Sequence, residues 1–154
     1  MERTQTIHYQ EYKFDELGTA DRALMDAAIS ATDTAYAPYS NFHVGAAVRL
    51  SDGTVVKGSN QENIAYPSGL CAERTALFAA SAQHPGVTME ALAIVGRNSE
   101  GKLTGASPCG ACRQVMAEQE SRQRGNLRIL CYFSSDKILI FDGVESLLPF
   151  IFSM

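Results

Sequence analysis

Two cysteine-bearing segments constrain the fold of this chain more than any other feature of its sequence. Cys71-Ala72-Glu73-Arg74 opens one predicted helix, and Cys109-Gly110-Ala111-Cys112 lies at the start of another. Thiols three residues apart at a helix start lie on one side of the helix, and such a pair is a common clip for zinc. Cys71 could add a third thiolate, which would require the two helix starts to meet. Three protein ligands leave a fourth position open for water, as in catalytic zinc sites.

Glu73 stands two residues after Cys71. Residues two apart on a helix do not face the same way, so we do not expect Glu73 to be a fourth ligand. Its carboxylate could instead reach a water molecule at the open position and move its proton.

Arg74 follows directly and carries the positive charge that such a site needs. Zn²⁺ with three thiolates has a net charge of about −1, which makes the ion a poorer Lewis acid than one held by imidazoles. Helix N-termini supply part of the compensation. Arg74 is placed to donate to the thiolates, as groups behind metal ligands often do, so we expect it to tune the metal without touching substrate. The alternative is an ordinary salt bridge at the surface or at an interface.

The remaining sequence alternates between helical and extended patterns. Helices are predicted over 17–36, 71–83 and 107–122, the last with Ser107 as N-cap and Pro108 in the first turn. Strands are predicted over 44–50, 54–57, 89–95, 127–133 and 137–141, and a short helix or turn over 144–150. This order predicts one α/β domain over 1–154, a three-layer α-β-α sandwich with a mixed five-stranded sheet and an N-terminal arm at 1–14.

Composition narrows the possible partners and location. The chain has 154 residues, a net charge of −4 and 19% charged residues, which disfavours binding to a nucleic acid backbone and favours a small, weakly charged ligand. A low charge content also suits a surface that other subunits partly cover. Residues 1–10 are polar, and no apolar run approaches the ~20 residues of a membrane span, so we expect a cytoplasmic protein without membrane contact. In the cytoplasm we expect the four cysteines to be free thiols or metal ligands rather than members of disulfides.

Cys-Ala-Glu followed by Pro-Cys-x-x-Cys resembles the signature of the zinc nucleoside deaminases. Four blocks narrow the resemblance to the cytidine deaminases: 37–47, 60–63, 71–76 and 108–114. The ligand set of three cysteines is similar to the small homotetrameric branch, not the larger dimeric branch with a histidine ligand. The resemblance covers about residues 17–152. It implies hydrolytic deamination of cytidine and deoxycytidine in pyrimidine salvage, by a homotetramer with sites near subunit interfaces.

The resemblance also implies roles at the metal. Cys71, Cys109 and Cys112 would hold one Zn²⁺ per subunit. Glu73 would take a proton from water and hand protons to the ring nitrogen and the leaving ammonia. Ala72 would offer its backbone N–H, which points out of a helix start, to the carbonyl of the base.

Substrate contacts follow from the same resemblance. Asn60 and Glu62 would hydrogen-bond the ribose hydroxyls, and Phe42 would pack against the base. Tyr66 lies in a loop that approaches a neighbouring subunit's site in the family. Phe152 belongs to a C-terminal Leu-Leu-Pro-x-x-Phe pattern whose Phe reaches an adjacent subunit's base pocket.

Other interpretations stay open on the residues alone. Cys109 and Cys112 by themselves suit a redox pair or half of a structural zinc knot, Phe42 suits plain core packing, and Cys131 in its apolar strand suits an inert core thiol. Three rival functions are a deaminase for a modified nucleoside such as blasticidin S, a non-catalytic zinc module that tolerates Glu73→Gln, and a deaminase acting on bases within nucleic acid. The acidic composition counts against the last.

Overall fold

A mixed β-sheet forms the centre of the computed structural model, which describes residues 1–153. Within these described residues the sheet has seven strands: β1 (Gln10–Lys13), β2 (His43–Leu50), β3 (Val55–Ser59), β4 (Met89–Arg97), β5 (Leu103–Thr104), β6 (Arg128–Ser134) and β7 (Lys137–Phe141). Their order is β1-β7-β6-β4-β2-β3, and β5 pairs with β4. Three helices are α1 (Thr19–Ala31), α2 (Ala72–Gln83) and α3 (Gly110–Gln123).

The connections explain the mixed pairing. Strands β4 and β6 are parallel, because the chain between them crosses over through α3. The β2–β3 and β6–β7 pairs are antiparallel and joined by short turns. Because helices cover both faces of the central strand β4, its residues 91–95 are all fully buried, which explains their unbroken apolar run.

Helices cover both faces of the sheet. Helix α1 buries Leu24, Met25 and Ala28 against one face, together with Ala47 and Leu130 from the strands. Helices α2 and α3 pack on the other face, with these buried side chains: Ala72, Ala76, Leu77, Ala80, Cys112, Met116 and Ala117. The predicted α/β class and three-layer sandwich are confirmed.

The predicted count of five strands is wrong, because two short strands extend the sheet. Residues 10–13, assigned to the arm, pair with β7, although their side chains are all exposed and so gave no alternating pattern. The two residues of β5 pair with the end of β4, between the predicted strand 89–95 and the predicted helix 107–122. Within residues 1–153, no helix is long and apolar enough to cross a membrane.

The observed helix boundaries differ from the predicted ones by a few residues. Helix α3 begins at Gly110 with Cys109 as N-cap, so the prediction of Ser107 as N-cap is wrong. An N-cap residue has an extended backbone conformation. Cys109 has this conformation, with φ −69° and ψ 168°. Helix α1 ends at Ala31, after which a 3₁₀ turn covers Thr32–Thr34. Within the short helix or turn predicted over 144–150, the structure has a 3₁₀ turn at Val144–Ser146.

Asp21 ties α1 to two strands of the sheet. Its Oδ1 and Oδ2 accept hydrogen bonds from Nη1 and Nη2 of Arg128 at 3.1 and 3.0 Å, and Oδ1 also accepts one from Arg49 at 3.4 Å. Burial raises the pKa of this carboxyl, but the two guanidinium groups outweigh burial and leave the pKa lowered.

We expect Asp21→Asn to lower the free energy of unfolding by about 1–2 kcal/mol at neutral pH, since it removes charge-assisted hydrogen bonds at a partly exposed site. A carboxyl with a lowered folded-state pKa stabilises fully above its unfolded pKa, and loses that effect as pH falls through the folded value. Urea unfolding of both proteins should therefore show a difference at neutral pH that shrinks in acid. A difference of the same size at both pH values would contradict this assignment.

Candidate active site

Two helix starts meet beneath a cleft on the α2–α3 face of the sheet. Cys71 is the N-cap of α2, Cys109 is the N-cap of α3, and Cys112 lies buried in the first turn of α3. The first N–H groups of a helix have no partner within it and carry partial positive charge. The sequence therefore places thiols where two such ends stabilise negative charge on sulphur.

The spacing of the three sulphur atoms fits one tetrahedral ion. The Sγ atoms of Cys71 and Cys109 are 3.7 Å apart, those of Cys109 and Cys112 are 3.6 Å apart, and all three lie within 4.8 Å of one another. A tetrahedral zinc site with Zn–S bonds of about 2.3 Å places its sulphur atoms about 3.8 Å apart. Thiolate donors favour zinc over magnesium or calcium, so these residues fit the metal that the sequence predicts.

The protonation of these thiols supports the same conclusion. A hydrogen bond from the Cys112 thiol lowers the pKa of Cys71 to about 5, and the guanidinium of Arg74 adds to this effect, with Nη2 at 3.7 Å from Sγ. The same hydrogen bond, together with burial, raises the pKa of Cys112. A thiolate is therefore available at neutral pH, which is the form that binds metals.

Arg74 lies where the sequence predicted, behind the thiolates. Its contact with Cys71 raises the pKa of the guanidinium. The Nε–H is buried and has no hydrogen-bond partner among the residues that the structure describes. Its predicted role in tuning a metal stays a prediction.

Glu73 lies in the first turn of α2 beside the thiols. Only 4% of the residue is exposed, and burial raises the pKa of its carboxyl to about 7. The neighbouring Cys71 thiolate raises it further, while the residue's own backbone N–H opposes the shift. A carboxyl that titrates near neutrality can both accept and donate a proton under physiological conditions.

A cavity of about 620 Å³ opens above this group. Five predicted substrate-binding residues line it together with Cys71, Glu73 and Cys109: Phe42, Asn60, Glu62, Tyr66 and Ala72. Ala72 is fully buried and is the first residue of α2, so its backbone N–H has no partner within the helix. The structure thus brings these residues together around the thiols.

Asn60 and Glu62 use part of their hydrogen-bonding capacity within the protein. The Asn60 amide accepts from the Val44 N–H at 2.7 Å and donates to the Phe42 carbonyl at 2.9 Å, which fixes the backbone around Phe42. One amide hydrogen is left for a ligand. The Glu62 carboxylate accepts from the backbone N–H groups of Tyr39 and Ser40. Their predicted contacts with ribose stay predictions.

Of the two residues assigned to intersubunit roles, Tyr66 lines the cavity and Phe152 does not. Tyr66 is 74% exposed at the cavity and packs edge-on against Tyr39, with ring centroids 5.9 Å apart. Phe152 is also 74% exposed, and its carbonyl accepts a hydrogen bond from Gln114 on α3. Phe152 does not line the cavity of its own chain, so the structure does not join it to this site.

Sequence reasoning missed several residues of the cavity. Tyr39 and Ser40 line one wall, and the loop 105–107 lines another before Cys109. Tyr39 and Ser40 belong to the block 37–47, in which only Phe42 was assigned a role. Cys131 is buried as predicted, and burial raises the pKa of its thiol to about 12.

Gly58 on β3 sets how closely α2 approaches the sheet. A Cβ at Gly58 would collide with the amide nitrogen of Ala76 and lie 2.7 Å from the Ala72 carbonyl oxygen. A Cβ at Gly45 on β2 would collide equally, but with the Ala28 carbonyl of α1 on the opposite face. The backbone contact at Gly58 therefore fixes the turn of α2 that bears Glu73. The thiols, the buried carboxyl and the cavity together define a candidate metallohydrolase site on an α/β sandwich.

Comparisons with known proteins agree with this class. The family model for the cytidine and deoxycytidylate deaminase zinc-binding region matches residues 19–124. A cytidine deaminase of Halalkalibacterium halodurans is 47% identical over 95 residues, 62% of this chain and 68% of that protein. One from Sporosarcina psychrophila is 53% identical over 89 residues, 57% of this chain and 61% of that protein. The crystal structure of cytidine deaminase from Burkholderia pseudomallei gives a TM-score of 0.72 at 42% identity, covering 84% of this chain and 97% of that one.

The chain belongs to the cytidine and deoxycytidylate deaminase family. Its relatives are hydrolases that act on C–N bonds, so the predicted family and enzyme class are confirmed. The matched region contains Glu73 and the three clustered cysteines, whereas β1 and Phe152 lie outside it.

We expect Gly58→Ala to lower zinc affinity about 10-fold or more, because it displaces the turn that carries Cys71 and Glu73 relative to α3. Competition with a chromophoric chelator measures this affinity directly. Gly45→Ala is the matched control, since it forces α1 off the opposite face and leaves the thiols in place. Both variants should be compared at a temperature where both are folded. An equal loss of zinc affinity in the two would show that Gly58 acts only through general stability.

Proposed function

We propose that the protein is a zinc-dependent hydrolase that converts cytidine and 2′-deoxycytidine to uridine and 2′-deoxyuridine, with release of ammonia. One observation carries the proposal: a buried carboxyl with a pKa near 7 stands beside three thiols within 4.8 Å of one another, in a cavity of suitable size for a nucleoside. Groups suited to proton transfer, to metal binding and to substrate binding thus lie at one place. Membership of the deaminase family supports it further.

The reaction exchanges an amino group for oxygen at one ring carbon. The oxygen of a water molecule bonds to C4 of the cytosine ring, the bond from C4 to the exocyclic nitrogen breaks, and ammonia leaves. When bound by Cys71, Cys109 and Cys112, zinc would supply Lewis acidity and lower the pKa of water.

Glu73 is assigned the movement of protons. Its carboxylate takes a proton from the attacking water and delivers it to ring nitrogen N3, which makes C4 more electrophilic. The remaining proton then passes to the exocyclic nitrogen, so that the leaving group departs as neutral ammonia. A carboxyl with a pKa near 7 suits both directions, since its acid and base forms are close in free energy at neutral pH.

Other residues hold the substrate. The Ala72 N–H donates to the carbonyl of the base, Phe42 packs against the ring, and Asn60 and Glu62 bind the sugar hydroxyls. Support comes from the position of all four in the wall of the cavity. Arg74 stays on the thiolate and does not contact substrate.

The charges of the cavity favour nucleosides over nucleotides. Among the described residues that line it, the only cation is Arg74, whose guanidinium contacts the Cys71 thiolate. Glu62 adds negative charge at the proposed sugar end. The Glu62 carboxylate would repel a phosphate group, and the described residues of the cavity offer no uncommitted cation to bind it. The same charges also disfavour a base within nucleic acid as substrate.

We further propose that the protein is a homotetramer and is located in the cytoplasm. A homotetramer would bring Tyr66 and Phe152 to neighbouring sites, and the exposure of both aromatic side chains supports such contacts. The acidic, weakly charged chain and its free thiols suit a cytoplasmic enzyme of pyrimidine salvage.

We expect zinc-loaded protein to convert cytidine, seen as a change in ultraviolet absorbance, and Glu73→Gln to lower turnover at least about 100-fold, because glutamine cannot carry the proton. The zinc content of both proteins is measured alongside, so that loss of metal is separated from loss of the carboxyl. Turnover by Glu73→Gln at the wild-type rate would contradict the role of Glu73. A zinc-replete wild type that leaves cytidine unchanged would favour a modified nucleoside or a non-catalytic zinc module.

A further inference from the structure

The two oxygens of the Glu62 carboxylate stand in different surroundings. Oε1 accepts three hydrogen bonds from the preceding turn: the Tyr39 N–H at 3.3 Å, the Ser40 N–H at 3.1 Å and the Ser40 hydroxyl at 3.1 Å. The hydrogen bonds found among residues 1–153 place no donor on Oε2. Because Glu62 lines the cavity, its second oxygen remains available as an acceptor for a ligand there.

The Ser40 hydroxyl links this carboxylate to the segment that carries Phe42. Its oxygen accepts a hydrogen bond from the Phe42 N–H at 3.0 Å while its single hydrogen points to Glu62. The backbone reverses between them because Asn41 adopts the left-handed conformation, with φ at 53°, which Asn tolerates better than most residues. Asn60 then holds the Phe42 carbonyl from the other side. The backbone of Phe42 is thus fixed even without Ser40.

We propose that Ser40 is a positioning residue for substrate specificity, which orients Glu62 so that its free oxygen accepts a hydrogen bond from a hydroxyl of the nucleoside sugar. The inference rests on the proposed function. Ser40 itself does not contact the reacting atoms.

Binding is tighter when the Glu62 side chain is already fixed in its binding conformation. A partly exposed glutamate side chain has three rotatable bonds, and fixing it only when ligand arrives weakens binding. Three donors on Oε1 fix the carboxylate before ligand arrives, and the Ser40 hydroxyl is the one of the three that substitution removes without altering the backbone. Because the sugar is remote from C4, the contact is made equally in ground and transition states. Its loss therefore changes KM rather than kcat.

The test uses Ser40→Ala, with Ser40→Thr as the matched variant that keeps a hydroxyl. Ser40 is exposed, so neither substitution disturbs the core, and thermal unfolding of all three proteins checks this. We expect Ser40→Ala to raise KM for cytidine about 3- to 10-fold with little change in kcat, the size of one ordinary hydrogen bond at an exposed site, and Ser40→Thr to restore most of the loss.

Sugar analogues separate this role from a general effect on the site. The ratio of kcat/KM between wild type and Ser40→Ala is measured for cytidine, 2′,3′-dideoxycytidine and 5′-deoxycytidine. A ratio that falls toward one for either analogue supports the proposal and shows whether Glu62 binds at the 2′,3′ side of the sugar or at its 5′ hydroxyl. A ratio equal for all three substrates, or a Ser40→Ala variant that equals wild type on cytidine, overturns it while leaving the proposed function intact. A wild type that deaminates none of the three overturns the proposed function, and this inference with it.

Discussion

The site depends on one constraint: the starts of α2 and α3 must come close enough for three sulphur atoms to lie within 4.8 Å of one another. The topology meets it, because both helices pack on the same face of the sheet, one after β3 and the other between β4 and β6. Close contact between α2 and the backbone of β3 at Gly58 then fixes one of the two helix starts. Among the described residues that line the cavity, none belongs to α1, which covers the other face.

Burial of Glu73 lowers the stability of the fold but gives its carboxyl a pKa suited to proton transfer. Burying a carboxyl disfavours its charged form, and here that penalty moves the pKa to about 7. Because its folded-state pKa lies above the ordinary value, the group lowers the stability of the fold at neutral pH, but it holds or releases a proton with a small change in free energy. The nearby thiolate reinforces the shift, so the metal ligands and the proton carrier depend on the same local charges.

Much of the site could be predicted from the sequence, because its main residues occur in short motifs at helix starts. The spacing of Cys109 and Cys112 with Cys71-Ala-Glu73 predicted the cluster that the structure contains. Strand β1 could not be predicted, since a strand held by backbone pairing with exposed side chains leaves no periodic pattern. The N-cap of α3 was placed two residues early, because Ser107-Pro108 satisfies the usual preferences for a helix start. Ser40 was missed because its contacts join residues 22 positions apart, which no local pattern reveals.

If the proposed function is correct, three cysteines bind one zinc ion and leave a fourth position open beside Glu73. X-ray absorption spectroscopy at the zinc edge, on protein with one zinc per chain, measures this coordination. We expect three sulphur neighbours at about 2.3 Å and one oxygen or nitrogen neighbour at about 2.0 Å. Four sulphur neighbours, as in a closed structural site that recruits Cys131, would contradict it.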